Sequence, residues 1–387
     1  MREERDPVES ADTEDRDLYD VASWEPRTRL DRVSVRLHDL LVRGARALVV
    51  LLAVVILLAE FVLTGLATIS DPVVGVFILM SIAPALGIAG YLWRADVTRR
   101  EPLGTMLATF ILGVLFAGFA AVLNTIADPL FGPIPYVGIV LFFYLVVAPV
   151  EEAVKWLAIR LYAFRRSEFD AVIDGAVYGA VAGLGFATIE NAVYIGGQYL
   201  DAAQAGGDTF AATFSTAAVR TFAGPGHVIY SAFAGYYLGL AKFNRDRSGP
   251  IVVKGLLIAA LAHGTYNTLV GIVPELVAAV SGVSWPVAFI GFVLAFDGAL
   301  GYLLYRKISR YRRAYVETKG GSDGEDGPEN GSLGRESSDP GSNAKMSRTG
   351  TSVHPQKDPP PEYGLRENPG SQRSGYDSVE RPEDRNE

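Results

Sequence analysis

The stretch APVEEAVKWLAIRL, residues 148–161, sets two glutamates and a lysine inside an otherwise apolar run. Glu151 lies four residues before Lys155 and Glu152 three, so on a helix the ammonium reaches either carboxylate. Adjacent helical residues point about 100° apart. One glutamate can therefore face a cavity while its neighbour pairs sideways. Later apolar runs carry Asp174, Glu190, Asn191, Arg220, His227, His263, Asn267 and Asp297. Phe186 and Glu190 are four apart, as are His263 and Asn267, and each pair shares a helix face.

Each residue has a plain structural reading. Lys155 can neutralise a glutamate at a membrane interface, and His227 can make a helix-to-helix hydrogen bond. Asp174 and Asp297 sit near span ends and read as structural. Arg220 can anchor the outer end of a span or pair with Glu190. Together, however, the three glutamates, two histidines and an asparagine on four consecutive spans read as one shared site. An ionisable group at a bilayer centre costs about 2.5–3.5 kcal/mol on insertion scales, and such groups mark function.

The absence of cysteine excludes disulfides, thiolate chemistry and Cys-ligated zinc. There is no H-E-x-x-H, and no G-x-S-x-G lies within the apolar runs. Acid/base chemistry remains. A buried glutamate can act as general base toward water, while His263 and Asn267 donate hydrogen bonds to a developing oxyanion. That is peptide hydrolysis by an activated water, and it requires no cofactor. In the alternative, Glu152, Glu190, His227 and His263 supply ligands to zinc and Glu151 remains the base.

The elements that must position these groups are membrane helices. About twenty apolar residues cross a hydrocarbon core of roughly 30 Å. Eight such runs are legible, at 46–69, 73–93, 103–126, 134–162, 172–197, 217–241, 251–273 and 284–305. Arginine and lysine flank them in alternate loops only, which places both termini in the cytoplasm. The expected fold is an all-α, polytopic integral membrane helical bundle, multi-pass in the cell membrane. Gly175, Gly179 and Gly183, at four-residue spacing, make a small-residue face for close helix packing. Helix counting places Glu190 about 10 Å nearer the outer face than Glu151, unless its span is tilted or broken at those glycines.

The chain ends are a different material. Residues 1–45 form a polar, acidic segment that does not read as a signal peptide. Residues 316–387 have few aliphatic side chains and are expected to be disordered. The net charge of -8 belongs mainly to these ends, and no nucleic-acid partner is expected. Rival functions for the polar set are a proton-coupled transporter and a non-catalytic membrane scaffold. No convincing inverted repeat supports the first.

Four segments, PVEEAVKWLAI, FDAVIDGAVYGAVAGLGFATIENAVYI, VRTFAGPGHVIYSAFAGYYLGLAKF and LAHGTYNTL, resemble in order and spacing the motifs of the PrsW family of intramembrane proteases. YLWRADVTRREP resembles that family's first cytoplasmic loop. The resemblance spans about residues 75–310, within an expected core of 73–315, and leaves 46–69 as an extra first helix. The family is distantly similar to the CAAX-prenyl endopeptidase type, with its E-E-x-x-x-R, F-x-x-x-H and H-x-x-x-N motifs. The resemblance implies that Glu151 activates water and Glu152 supports it, with Lys155 near the basic position. Phe186 and Glu190 fall on F-x-x-x-H, with Glu in place of His, and His263 and Asn267 fall on H-x-x-x-N. His227 matches the sixth-span motif of the PrsW family, in which Asp often stands where this chain has Asn267. The implied partners are the lipid bilayer and a membrane-spanning protein substrate, which in the family's best-known role is an anti-sigma factor.

Overall fold

The computed structural model describes residues 17–20, 23–135 and 137–322. The expected tail from 323 onward and the first sixteen residues lie outside the described residues. Among those described, the regular elements are helices, and the one β feature is an isolated bridge between Tyr19 and Ser23.

Helix α1 (Arg29–Ser70) starts well before the apolar run at 46 because a capping box nucleates it. The Asp31 N–H donates to Thr28 Oγ1 at 3.1 Å, and the Thr28 N–H donates to Asp31 Oδ2 at 2.6 Å. Asp71 ends α1 and caps α2 (Pro72–Ala95), where the Val73 N–H donates to Asp71 Oδ1 at 2.9 Å. Pro72, which has no N–H to satisfy, opens that helix. Next come α3 (Leu103–Phe131), α4 (Val137–Phe142), a π-helical turn at Phe143–Val147 and α5 (Ala148–Leu161). They are followed by α6 (Val172–Gln204), α7 (Thr209–Phe243), α8 (Ser248–Leu269), α9 (Val273–Ser281) and α10 (Trp285–Ser322).

All eight expected runs are occupied by helix. Seven of these segments are long and apolar enough to cross a membrane. The run at 217–241, within α7, is not among them. It carries Arg220, His227 and several hydroxyls, and packs in the bundle interior. A helix surrounded by protein is not required to be apolar all round. Helix α10 continues to Ser322, past the expected end of the core at 315.

Helix α6 is the centre of the bundle, with 89% of its most apolar stretch buried. Its glycine face explains how closely α7 approaches. A Cβ on Gly175, Gly179 or Gly183 would overlap the carbonyl oxygens of Gly235, Ser231 and His227 respectively. Small residues allow backbone-to-backbone packing of this kind in apolar surroundings, where no hydrophobic force draws helices together. The face expected to serve packing therefore does so, and α6 is continuous through its glycines.

Candidate active site in the bundle interior

The π-helical turn sets the register of the two glutamates. The Ala148 N–H donates to Phe143 O, five residues back, and Pro149 follows at the first turn of α5. Proline cannot donate to the preceding turn, and a widened turn accommodates its ring. Glu151 then lines a cavity of about 310 Å³ between α3, the π turn, α5, α6, α7 and α8. Glu152, rotated away, is fully buried.

Glu152 is held on three sides. Lys155 Nζ donates to its Oε1 at 2.8 Å, and the Ser231 hydroxyl approaches Oε2 at 3.3 Å. His263 Nδ1 lies 3.1 Å from Oε1. A carboxylate paired with lysine can only accept, so His263 carries its proton on Nδ1. Its Nε2 faces Glu151 Oε2 at 3.7 Å. A carboxylate on one imidazole nitrogen that frees the other is a common arrangement around metal-ligating histidines.

Lys155 also reaches Glu151 Oε2 at 3.7 Å and His227 Nδ1 at 2.8 Å, and lies 4.1 Å above the Phe186 ring. Because an ammonium donates, His227 Nδ1 accepts and its Nε2–H donates to Glu190 Oε2 at 2.9 Å. Arg220 pairs with Glu190 through a terminal nitrogen and donates from Nε to Asn191 Oδ1 at 2.9 Å. Asn191 Nδ2 turns away, toward Ser81 Oγ at 3.1 Å. The two histidine rings meet edge to face, with centroids 5.2 Å apart.

The structure thus gathers the expected site residues around one cavity, while Asp174 lies apart from it. Glu151, Glu190, Arg220, His227, His263 and Asn267 line the cavity itself. Glu152, Lys155, Phe186 and Asn191 stand behind it. Glu190 shares the cavity with Glu151, and α6 is unbroken. Of the two aspartates read as structural, Asp174 caps α6 and Asp297 accepts from the Tyr230 hydroxyl at 2.6 Å. The Tyr230 ring packs 5.8 Å from that of His263.

One neighbour of Glu151 was missed from the sequence. Asn124 on α3 donates from Nδ2 to Glu151 Oε1 at 3.2 Å. The available signal was a single amide in the apolar run FAAVLNTI. Glu151 Oε2 and Asn124 Oδ1 are both buried without a hydrogen-bond partner.

The donor set fits a divalent ion. Glu151, His227 and His263 each offer an atom within 4.8 Å of the others, and one carboxylate with two imidazoles is a zinc-type set that leaves a coordination position open. The grouping differs from the expected one. Glu151 takes the place of Glu152, whose oxygens are already engaged.

A family model described as "PrsW family intramembrane metalloprotease" matches residues 101–297. Protease PrsW of Shouchella clausii (strain KSM-K16) is 27% identical over 191 residues, covering 49% of this chain and 81% of that protein. Protease PrsW of Bacillus subtilis (strain 168) is 29% identical over 189 residues, covering 48% and 78%. Protease PrsW of Geobacillus kaustophilus (strain HTA426) is 29% identical over 196 residues, covering 49% and 76%. No solved structure matches. The matched residues hold every polar side chain of the cavity, so the chain is a multi-pass membrane peptidase and belongs to the PrsW family of intramembrane metalloproteases.

Proposed function

We propose that the protein is an endopeptidase that cleaves membrane-anchored protein substrates with water activated at Glu151, in regulated proteolysis. The supporting observation is the state of one atom. Glu151 Oε2 is buried and has no hydrogen-bond partner, yet it borders a cavity shared with His227 and His263. A carboxylate oxygen left unpaired in such a place is costly unless a reactant or ion completes it.

Glu151, His227 and His263 would hold a divalent ion of the zinc class, with His227 releasing its Nε2 proton, drawing one to Nδ1 from Lys155 and giving up its contact to Glu190. When bound, that ion would supply Lewis-acid polarisation of water or of the scissile carbonyl. The chain's own groups divide the remaining work. Asn124 fixes Oε1, which leaves Oε2 as the ligand oxygen when an ion is bound and, without one, as the base that takes the proton from water and returns it to the leaving amine. The Glu152–Lys155 pair holds His263 in one tautomer. Arg220 and Asn267 place donors on the cavity wall, suited to a substrate carbonyl. The arginine-flanked loops support an orientation with both termini in the cytoplasm.

The test is cleavage of a single-span substrate in proteoliposomes. Glu151→Gln is expected to be inactive while remaining folded in detergent; full activity in that variant removes Glu151 from the reaction. Chelator treatment is expected to abolish activity and zinc to restore it. Activity that survives chelation would leave Glu151 acting without an ion.

A further inference from the structure

A second group of acids lies outside the cavity, where the α2–α3 loop meets the start of α6. Asp96, Glu101 and Asp174 each offer an oxygen within 4.8 Å of the others. Each carboxylate has one oxygen fixed by the protein. Asp96 Oδ1 accepts from the Thr98 N–H at 2.8 Å and its hydroxyl at 2.7 Å. Glu101 Oε2 accepts from the Tyr178 hydroxyl. Asp174 Oδ2 accepts from the Asp170 and Ala171 N–H groups at 2.8 and 2.6 Å.

The other oxygens are free or nearly so. Asp96 Oδ2 and Glu101 Oε1 are buried with no partner. Asp174 Oδ1 has only a 3.5 Å approach from the Thr98 hydroxyl. Glu101 is 2% exposed and Asp174 is fully buried. Arg94, Arg99 and Arg100 lie close in sequence. Yet among the described residues no lysine, arginine or histidine nitrogen comes within 4.0 Å of any of the three acids. Helix capping accounts for one oxygen of Asp174. It does not account for two further carboxylates gathered beside it with unpaired oxygens, since the cation that feels Glu101 and Asp174, Lys242, donates to the carbonyls of Phe164 and Phe169 instead.

We propose that Asp96, Glu101 and Asp174 form a second cation site, for a hard divalent ion of the calcium or magnesium class. Oxygens bound at 2.3–2.6 Å to one ion can be at most about 5 Å apart, which the observed spacing satisfies. The donors are all oxygen, with no nitrogen or sulfur, and this selects hard cations over zinc. Asp96 is only partly buried, which leaves an approach for the ion and for waters to complete its shell. The site fastens the α2–α3 loop to the first turn of α6, the helix that carries Phe186 and Glu190. It is independent of the proposed hydrolytic role.

The experiment uses the full chain in detergent with Mn²⁺ as a paramagnetic probe. The background is His263→Ala, which disables the cavity's donor set. One Mn²⁺ equivalent is expected to bind and to be displaced by Ca²⁺ or Mg²⁺. Asp96→Asn and Glu101→Gln in that background are expected to weaken binding at least tenfold. Ca²⁺ is also expected to raise the melting temperature of the wild-type chain, but not that of Asp96→Asn. The proposal fails if no Mn²⁺ binds at millimolar concentration, or if binding is unchanged in Asp96→Asn. That partly exposed position decides the matter should Glu101→Gln not fold. A cluster that held shared protons instead would give the first of these results.

Discussion

Asn124 on α3 holds one oxygen of Glu151 on α5 and leaves the other, Oε2, without a hydrogen-bond partner inside the cavity. The amide thereby decides which oxygen of the carboxylate faces a reactant. A hydrogen bond to a charged group is worth about 1.5–3 kcal/mol. Asn124→Ala should therefore lower kcat by roughly thirtyfold, about 2 kcal/mol, with little change in KM. Turnover within twofold of wild type would show that Glu151 needs no such positioning.

Lys155 is the buried hub of the site, touching Glu152, His227 and the Phe186 ring. Removing one member of a buried ion pair leaves an uncompensated charge and costs about 3–5 kcal/mol. Lys155→Met should lower the melting temperature in detergent sharply. The double variant Lys155→Met/Glu152→Gln should recover much of that loss. If the double variant melts no higher than the single one, pairing with Glu152 is not what Lys155 contributes.

Arg220 joins Glu190 to Asn191 with two different nitrogens. Lysine supplies a point charge and cannot reproduce that fork. Arg220→Lys should cost about 1 kcal/mol of transition-state stabilisation, roughly fivefold in kcat/KM. Asn191→Ala should add little once that change is made. Fully additive losses would mean the two residues act separately.

Much of this was readable before any coordinates. Glu151, Glu152, Lys155, His227 and His263 stood out because charge and imidazole are conspicuous in apolar runs. The spacing of three and four residues correctly said which pairs share a helix face. The ion pair of Arg220 with Glu190 was also visible as an option. Asn124 was not, because a neutral amide in a span carries little penalty and no periodicity marks its partner. The early start of α1 was missed because the capping box at Thr28 and Asp31 lies in polar sequence, where an apolar window sees nothing. The polarity of α7 was legible, but its cause, a place in the bundle interior, required the packing.

The glycine face of α6 makes a sharp comparison possible along one helix. A side chain at Gly179 would meet the Ser231 carbonyl, whereas Gly197 has open space around it. Gly179→Val should part α6 from α7 and abolish the monodisperse peak in detergent chromatography. Gly197→Ala should leave that peak intact and stabilise the helix by up to about 1 kcal/mol. Equal behaviour of the two variants would refute the close-packing account.

That interlock divides the cavity into a fixed wall and a deformable one. Gly113 on α3 and Gly185 on α6 meet backbone carbonyls just as closely, at Ala182 and Phe110, so α3, α6 and α7 form one unit. On the opposite side Phe142, Phe143 and Val147 line the cavity from the π turn and the residue before it, where the hydrogen-bond ladder is already irregular. On the proposed function, a substrate helix entering from the bilayer would meet the cavity's less regular wall at that turn. Spin labels at Leu145 and Leu261 should report movement there when substrate binds, while labels at Gln198 and Phe214 keep their spacing. The turn that points Glu151 at its cavity is, on this account, also the hinge of the gate through which substrate arrives.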